Sequence, residues 1–253
     1  MRHFFFLLLL AFSICGLRAQ NTYLNASRPV DTTVVAPAEV RCAPLYRKSM
    51  VIIGDSYVRN HRRPVEETWH YLVAEKYQMT YYNYGKNGNC VAFDRTRRGF
   101  GIPMYVRYQE MVDDADYVVI VAGHNDADMI GSVDTTLTAE QNAVRHDSLL
   151  TEFRLRLAQL LDSLIEKYPS VRLAFITPWN VDRPGFSETM AAIREICGDY
   201  SVPLYDAARE SGIHVRNEAF RRRYFQRAND TAHLNAAGHK HFMNKAETFL
   251  LGL

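Results

Sequence analysis

Five short apolar runs, at 50–53, 79–84, 117–122, 171–176 and, more weakly, 202–205, alternate with longer segments of helical spacing. Each run has the length of a strand and reads as largely continuous, not as the apolar–polar alternation of a half-exposed strand. That pattern leaves little choice of architecture. Strands buried on both faces belong to a parallel sheet, and the helices between them cover it above and below. The clearest helical segment is 142–168, where Leu150, Phe153, Leu157, Leu160, Leu161, Leu164 and Tyr168 fall three or four apart before Pro169 ends the run. A last helix starts with Asn235 as its cap and continues to the C-terminus. Sheets of this class hold their ligands beyond the carboxyl ends of the strands, so the chemistry is expected immediately after each apolar run.

Four short blocks stand at those positions. The first run ends in Gly54-Asp55-Ser56, and the second leads into "NYGKNGNC" with Gly85 and Gly88. The third leads into Gly123-His124-Asn125-Asp126, and Asp230-Thr231-Ala232-His233 precedes the last helix. Any one of them is compatible with an ordinary turn or helix cap. Together they supply the parts of an acyl-transfer site. A serine becomes a nucleophile when an imidazole takes its proton. The imidazole in turn needs a carboxylate to fix its tautomer and to stabilise its charged form. Ser56, His233 and Asp230 fit these three roles. An oxyanion needs donors aimed at it, and the Ser56 N–H, the Gly88 N–H and the Asn125 amide meet that need. Gly85 is the alternative glycine, or permits the turn itself. Asp55 and Asp126 are expected to hold their turns.

These four blocks resemble the SGNH hydrolases, also called GDSL esterases and lipases, through "GDSY", "GKNG", "GHND" and "DTAH" in family order. The likeness runs from about residue 50 to the C-terminus. It implies an α/β fold: a three-layer α/β/α sandwich around a five-stranded parallel sheet of flavodoxin-like order. It also implies ester hydrolysis through an acyl-serine, with no metal or cofactor. Tyr57 stands where leucine is usual after the serine. The G-x-S-x-G elbow of α/β-hydrolases is absent.

The N-terminus "MRHFFFLLLLAFSICGLRAQ" has the basic start, short apolar run and small-residue site of a secretory signal cut after Ala19. The expected division is therefore a signal peptide over 1–19, an extension over 20–48 with no sustained period, and a hydrolase domain over 49–253. Secreted or periplasmic location follows, without stable membrane insertion once the signal is cut. Cleavage removes Arg2 and Arg18 and no acid, so the formal net charge falls from +2 to zero. A neutral chain gives no general attraction to nucleic acid, and "RTRRGF" and "FRRRYF" read as surface charge. Cys42, Cys90 and Cys197 remain, enough for one disulfide at most.

Substrate contacts are expected from His124 and from Arg62 and Arg63 in "VRNHRRP", which would attract an acidic ester. His61, His70, His146, His214 and His239 read as ordinary surface or core residues. A small-molecule or polysaccharide ester is the expected partner, with O-acetyl and other short acyl groups on carbohydrate leading. The alternatives are a lipid acylhydrolase or thioesterase of the same fold, and a carbohydrate-binding protein that has lost catalysis.

Overall fold

The computed structural model describes residues 35–253. The expected signal segment, its cleavage after Ala19 and the first part of the 20–48 extension lie outside the described residues. Five strands form one sheet: β1 (Ser49–Gly54), β2 (Thr80–Gly85), β3 (Tyr117–Val121), β4 (Arg172–Ile176) and β5 (Leu204–Tyr205). Their order is β2-β1-β3-β4-β5 and every pair is parallel. This is the flavodoxin-like order that the resemblance implies. Met50, Val51, Ile52 and Ile53 of β1 and Val118, Val119 and Ile120 of β3 are fully buried, as strands covered on both faces must be.

Among the described residues the helices are α1 (Ala38–Arg41), α2 (Ser56–Arg59), α3 (Trp69–Lys76), α4 (Met104–Arg107), α5 (His124–Ile130), α6 (Ala139–Lys167), α7 (Phe186–Asp199), α8 (Ala207–Glu210), α9 (Glu218–Tyr224) and α10 (Ala236–Leu251). α3 packs on α10, while α4, α5, α6 and α7 pack among themselves. Right-handed crossovers that leave β1 in one direction and cross to β3 in the other place these two groups on opposite faces of the sheet. α6 buries Phe153, Leu157, Leu160, Leu161 and Leu164 completely. Each such side chain contributes roughly 1.5–3 kcal/mol by burial. The helix begins three residues earlier than its apolar spacing predicts, because Thr138 and Gln141 form a reciprocal capping box. Asn235 caps α10 as expected, its side chain accepting from Gly238 N–H at 3.0 Å.

The described part of the extension does not merely lie on the surface. Leu45 is fully buried in the common core, and Arg47 N–H donates to the Tyr77 carbonyl at 3.0 Å. Cys42, Cys90 and Cys197 are all free thiols. No helix of the described residues is long and apolar enough to cross a membrane.

One consequence of the register governs everything that follows. Gly85, Gly54, Val121, Ile176 and Tyr205, the last residues of the five strands, fall in a single row across the sheet. The loops that leave β1, β2 and β3 therefore start side by side, at the switch point where the strand order reverses.

Candidate active site

Ser56 opens α2 directly after β1. Asp55 caps that helix, its carboxylate accepting from Tyr57 N–H at 2.8 Å. As the first helical residue, Ser56 has a backbone N–H with no partner inside the helix. Gly85 makes this packing possible, since a Cβ there would run into the backbone of Val58 and Arg59. Its own N–H donates to the Asn83 side chain at 2.7 Å and so is already engaged. Of the two glycines in that block, Gly88 is thus the one with a donor to offer. It occupies the third position of a turn closed by Asn89 N–H on the Lys86 carbonyl, with φ at +71°. A Cβ at Gly88 would be strained by that angle and would strike the Phe100 ring.

The segment carrying Asp230 and His233 is a closed loop. An antiparallel bridge pairs Phe225 with Leu234, and Gln226 N–H donates to the His233 carbonyl at 2.9 Å. Behind it stands Trp179, 3 % exposed, with its indole N–H on the Thr231 carbonyl at 3.3 Å and its ring 4.4 Å from that of Tyr57. This brace seats the loop against the start of α2. His233 Nε2 then lies 3.0 Å from Ser56 Oγ, and His233 Nδ1 lies 3.0 Å from Asp230 Oδ2. With Nδ1 protonated toward the carboxylate, Nε2 is free to accept the serine proton. The other Asp230 oxygen accepts from the N–H groups of Ala232 and His233 at 2.8 and 2.9 Å. Burial would raise the Asp230 carboxyl, but these hydrogen bonds and the His233 ring outweigh it and hold the group at about 2.

Asn125 lies on the first turn of α5, just beyond β3. Its amide nitrogen is 3.0 Å from Asp55 Oδ2 and 3.2 Å from the Asn89 carbonyl. Its oxygen accepts from Arg95 Nη1 at 3.3 Å, and the same nitrogen donates to the Gly88 carbonyl at 2.9 Å. Asp126 is fully buried and accepts from Val91 and Ala92 N–H at 2.9 and 3.0 Å. It thus fastens the loop after β2 to α5, and does more than hold its own turn. Burial pushes Asp55 up to about 7 and Asp126 up to about 6, each against hydrogen bonds from backbone N–H groups.

The sequence model of the GDSL-like lipase/acylhydrolase family matches residues 52–241. The chain belongs to that family. Lipase and acylhydrolase chemistry is, at the level of the family, the hydrolysis of esters. Solved structures agree on the fold. A Lactobacillus plantarum protein is 25 % identical with a TM-score of 0.65, the match covering 81 % of this chain and 97 % of that one. A lipase/acylhydrolase from Enterococcus faecalis is 18 % identical with a TM-score of 0.56, covering 81 % and 96 %. A psychrotrophic esterase from Pseudoalteromonas sp. is 14 % identical with a TM-score of 0.54, covering 80 % and 96 %. No curated protein matches the sequence.

In this GDSL-like chain the four expected blocks meet at one place, and two further residues join them. His61, read from the sequence as ordinary, stacks on His233 with ring centroids 4.5 Å apart and planes 22° from parallel. Arg95, read as surface charge, reaches both Gly88 and Asn125. His124 is only 6 % exposed and turns Nδ1 to the Tyr57 hydroxyl at 3.3 Å, so it is held against the residue that follows Ser56. Burial lowers it to about 4, which keeps it neutral near pH 7. Arg62 is exposed, whereas Arg63 is held by Glu67 through two hydrogen bonds of 2.7 and 2.9 Å.

Proposed function

We propose that this protein is an exported serine esterase that cleaves O-acetyl or other short acyl esters of carbohydrates. Ser56 Oγ attacks the ester carbonyl while His233 Nε2 takes its proton, and Asp230 stabilises the imidazolium that forms. The Ser56 and Gly88 N–H groups and the Asn125 amide hold the oxyanion. The Asn125 hydrogen directed at the Asn89 carbonyl, on the longer of its two bonds, is the one drawn to that oxygen. Collapse of the tetrahedral intermediate passes the proton from His233 to the leaving alcohol and leaves an acyl-Ser56. Water, activated by the same histidine, then releases the acid. The observation that carries this reading is the pair of 3.0 Å contacts from Ser56 Oγ through the His233 ring to Asp230.

The carbohydrate part rests on the expected export signal and on the polar loops that surround Ser56. His124 acts on the substrate indirectly, by holding Tyr57. Arg62, exposed and without an ion pair among the described residues, is one of the charges at the rim that draw in acidic esters. The deciding experiment is hydrolysis of p-nitrophenyl acetate, butyrate and octanoate by purified protein and by Ser56→Ala. Turnover best on acetate, abolished in the variant, is the expected result. A preference for octanoate would replace the carbohydrate reading with a lipid one. Equal inertness of both proteins on all three esters and on acetylated sugars would leave a binding protein.

A further inference from the structure

We propose that Arg95 is a positioning residue of the oxyanion hole, holding the Asn125 amide in the one orientation that points its N–H groups toward the reacting centre. The proposal rests on the esterase reading above. An asparagine amide is nearly symmetric in shape, and its two ends are told apart only by whether their neighbours donate or accept. Here the neighbours differ sharply. A guanidinium can only donate, and Arg95 Nη1 is 3.3 Å from Asn125 Oδ1. A carbonyl can only accept, and that of Asn89 is 3.2 Å from Asn125 Nδ2. Turning the amide over would set its N–H groups against the guanidinium and its oxygen against the Asn89 carbonyl. It would also give up the bond to Asp55 Oδ2 at 3.0 Å, so three bonds are lost. Of the three, the one from Arg95 is the only one on the oxygen end.

The same nitrogen of Arg95 bonds the Gly88 carbonyl at 2.9 Å, so one side chain spans the two halves of the hole that come from different loops. Arg95 is itself held firmly. Its guanidinium lies 4.5 Å from the centre of the Phe100 ring, the ring that fills the space beside Gly88. Its backbone bridges to Gly101, with Arg95 N–H on the Gly101 carbonyl at 3.1 Å. Among the described residues no carboxylate forms an ion pair with it. The buried Asp126 carboxylate feels its charge. A cation on the amide oxygen also polarises the amide and strengthens its N–H groups as donors.

The test is a double-mutant cycle on p-nitrophenyl acetate with Arg95→Met, Arg95→Lys and Asn125→Ala. Loss of one oxyanion donor costs ~10²–10³ in kcat, and that loss bounds what Arg95 can do through Asn125. Arg95→Met is expected to lower kcat by about 10–100-fold with little change in KM, because only transition-state contact is weakened. Arg95→Lys should restore part of the rate. Adding Arg95→Met to Asn125→Ala should cost clearly less than Arg95→Met alone, the remainder being what Arg95 does through the Gly88 carbonyl. Multiplicative losses, or a loss confined to KM on an anionic ester, would overturn the positioning role in favour of an independent or substrate-binding one. Nitrogen-15 spectra supply a readout that needs no turnover. The Asn125 side-chain resonances should shift in Arg95→Met and should be left in place by Arg62→Gln. If they do not move in Arg95→Met, Arg95 does not hold the amide. Should wild type prove inert on every ester, the esterase reading fails, and these resonances still decide the role of Arg95.

Discussion

Asp230 carries two tasks on its two oxygens. One accepts from His233 Nδ1 and sets the tautomer; the other accepts two backbone N–H groups and shapes the loop. Asp230→Asn keeps an acceptor for the backbone but allows the amide to present N–H to the ring, so the wrong tautomer is favoured. The expected result is a fall in kcat on the order of 10⁴ with the fold intact, read from steady-state rates beside circular dichroism. His239 permits a second prediction, on stability. It is fully buried, with Trp69 N–H pointing to its Nδ1 and its Nε2 3.3 Å from Asn60 Oδ1, and burial lowers it from 6.5 to about 3. Below pH 6.5 the unfolded chain therefore takes up a proton that the folded chain refuses, and stability falls as pH drops from 6.5 toward 3. The slope from one such proton is about 1.4 kcal/mol per pH unit. His239→Gln should lose less stability than wild type on acidification across that window in denaturant titrations, and equal slopes would contradict the assignment. At this scale Ser56, Asn125, Asp230 and His233 were legible because each stands at a strand end or before a helix. His61 and Arg95 were not. The stacking of His61 on a residue 172 positions away leaves no local pattern, and an arginine beside other arginines looks like solvated charge.

Secondary structure was readable in proportion to how completely tertiary packing agreed with local pattern. β1 and β3 are covered on both faces, so their apolar runs matched the strands to within a residue or two. β5 has only Leu204 and Tyr205 in the ladder, and its run was correspondingly faint. The start of α6 was written in Thr138 and Gln141, a polar signal that lies outside the apolar period. The loop after β2 is the element whose form could not be foreseen, because Asp126, Asn125 and Arg107 hold it from other parts of the chain. Arg107 is 4 % exposed and donates from Nε and Nη2 to Asn89 Oδ1 at 3.1 and 3.0 Å, while Asn89 Nδ2 bonds the Ile102 carbonyl at 2.7 Å. A loop so over-determined tolerates a positive φ at Gly88 but not a side chain there. Gly88→Ala is expected to cost about 1–3 kcal/mol of stability and to lower kcat by ~10²–10³ through displacement of the donor. Adding Phe100→Leu should recover stability by removing the steric part, leaving the φ strain. Thermal melts and rates on p-nitrophenyl acetate check both, and an alanine variant with unchanged rate would remove Gly88 from the oxyanion hole.

At the scale of the whole molecule charge is nearly balanced, at +2 for the full chain, so attraction of a substrate must come from how charge is placed. Around the His233 side of the site two arginines stand beside the Asp230 carboxylate, which is engaged by the His233 ring. Arg62 and Arg227 are exposed and both lie close enough to His61 to lower its pKa, after burial and His233 itself. Arg63, adjacent in sequence, is already paired with Glu67. Among the described residues neither Arg62 nor Arg227 forms an ion pair, and together beside the His233 ring they make a local positive field, which raises the encounter rate with anionic esters and not with neutral ones. Replacing both Arg62 and Arg227 by Gln should therefore lower kcat/KM severalfold for an ester bearing a carboxylate and leave p-nitrophenyl acetate unchanged. Because exposed charges are screened, the difference should fade as ionic strength rises from about 0.01 M, where the Debye length is about 30 Å, to about 1 M, where it is about 3 Å. Arg63→Gln is the internal control: its charge is neutralised by Glu67, so its effect on the anionic ester should be much smaller. Equal losses on charged and neutral esters, or a loss that persists at high salt, would mean that these arginines shape the loop and do not steer the substrate.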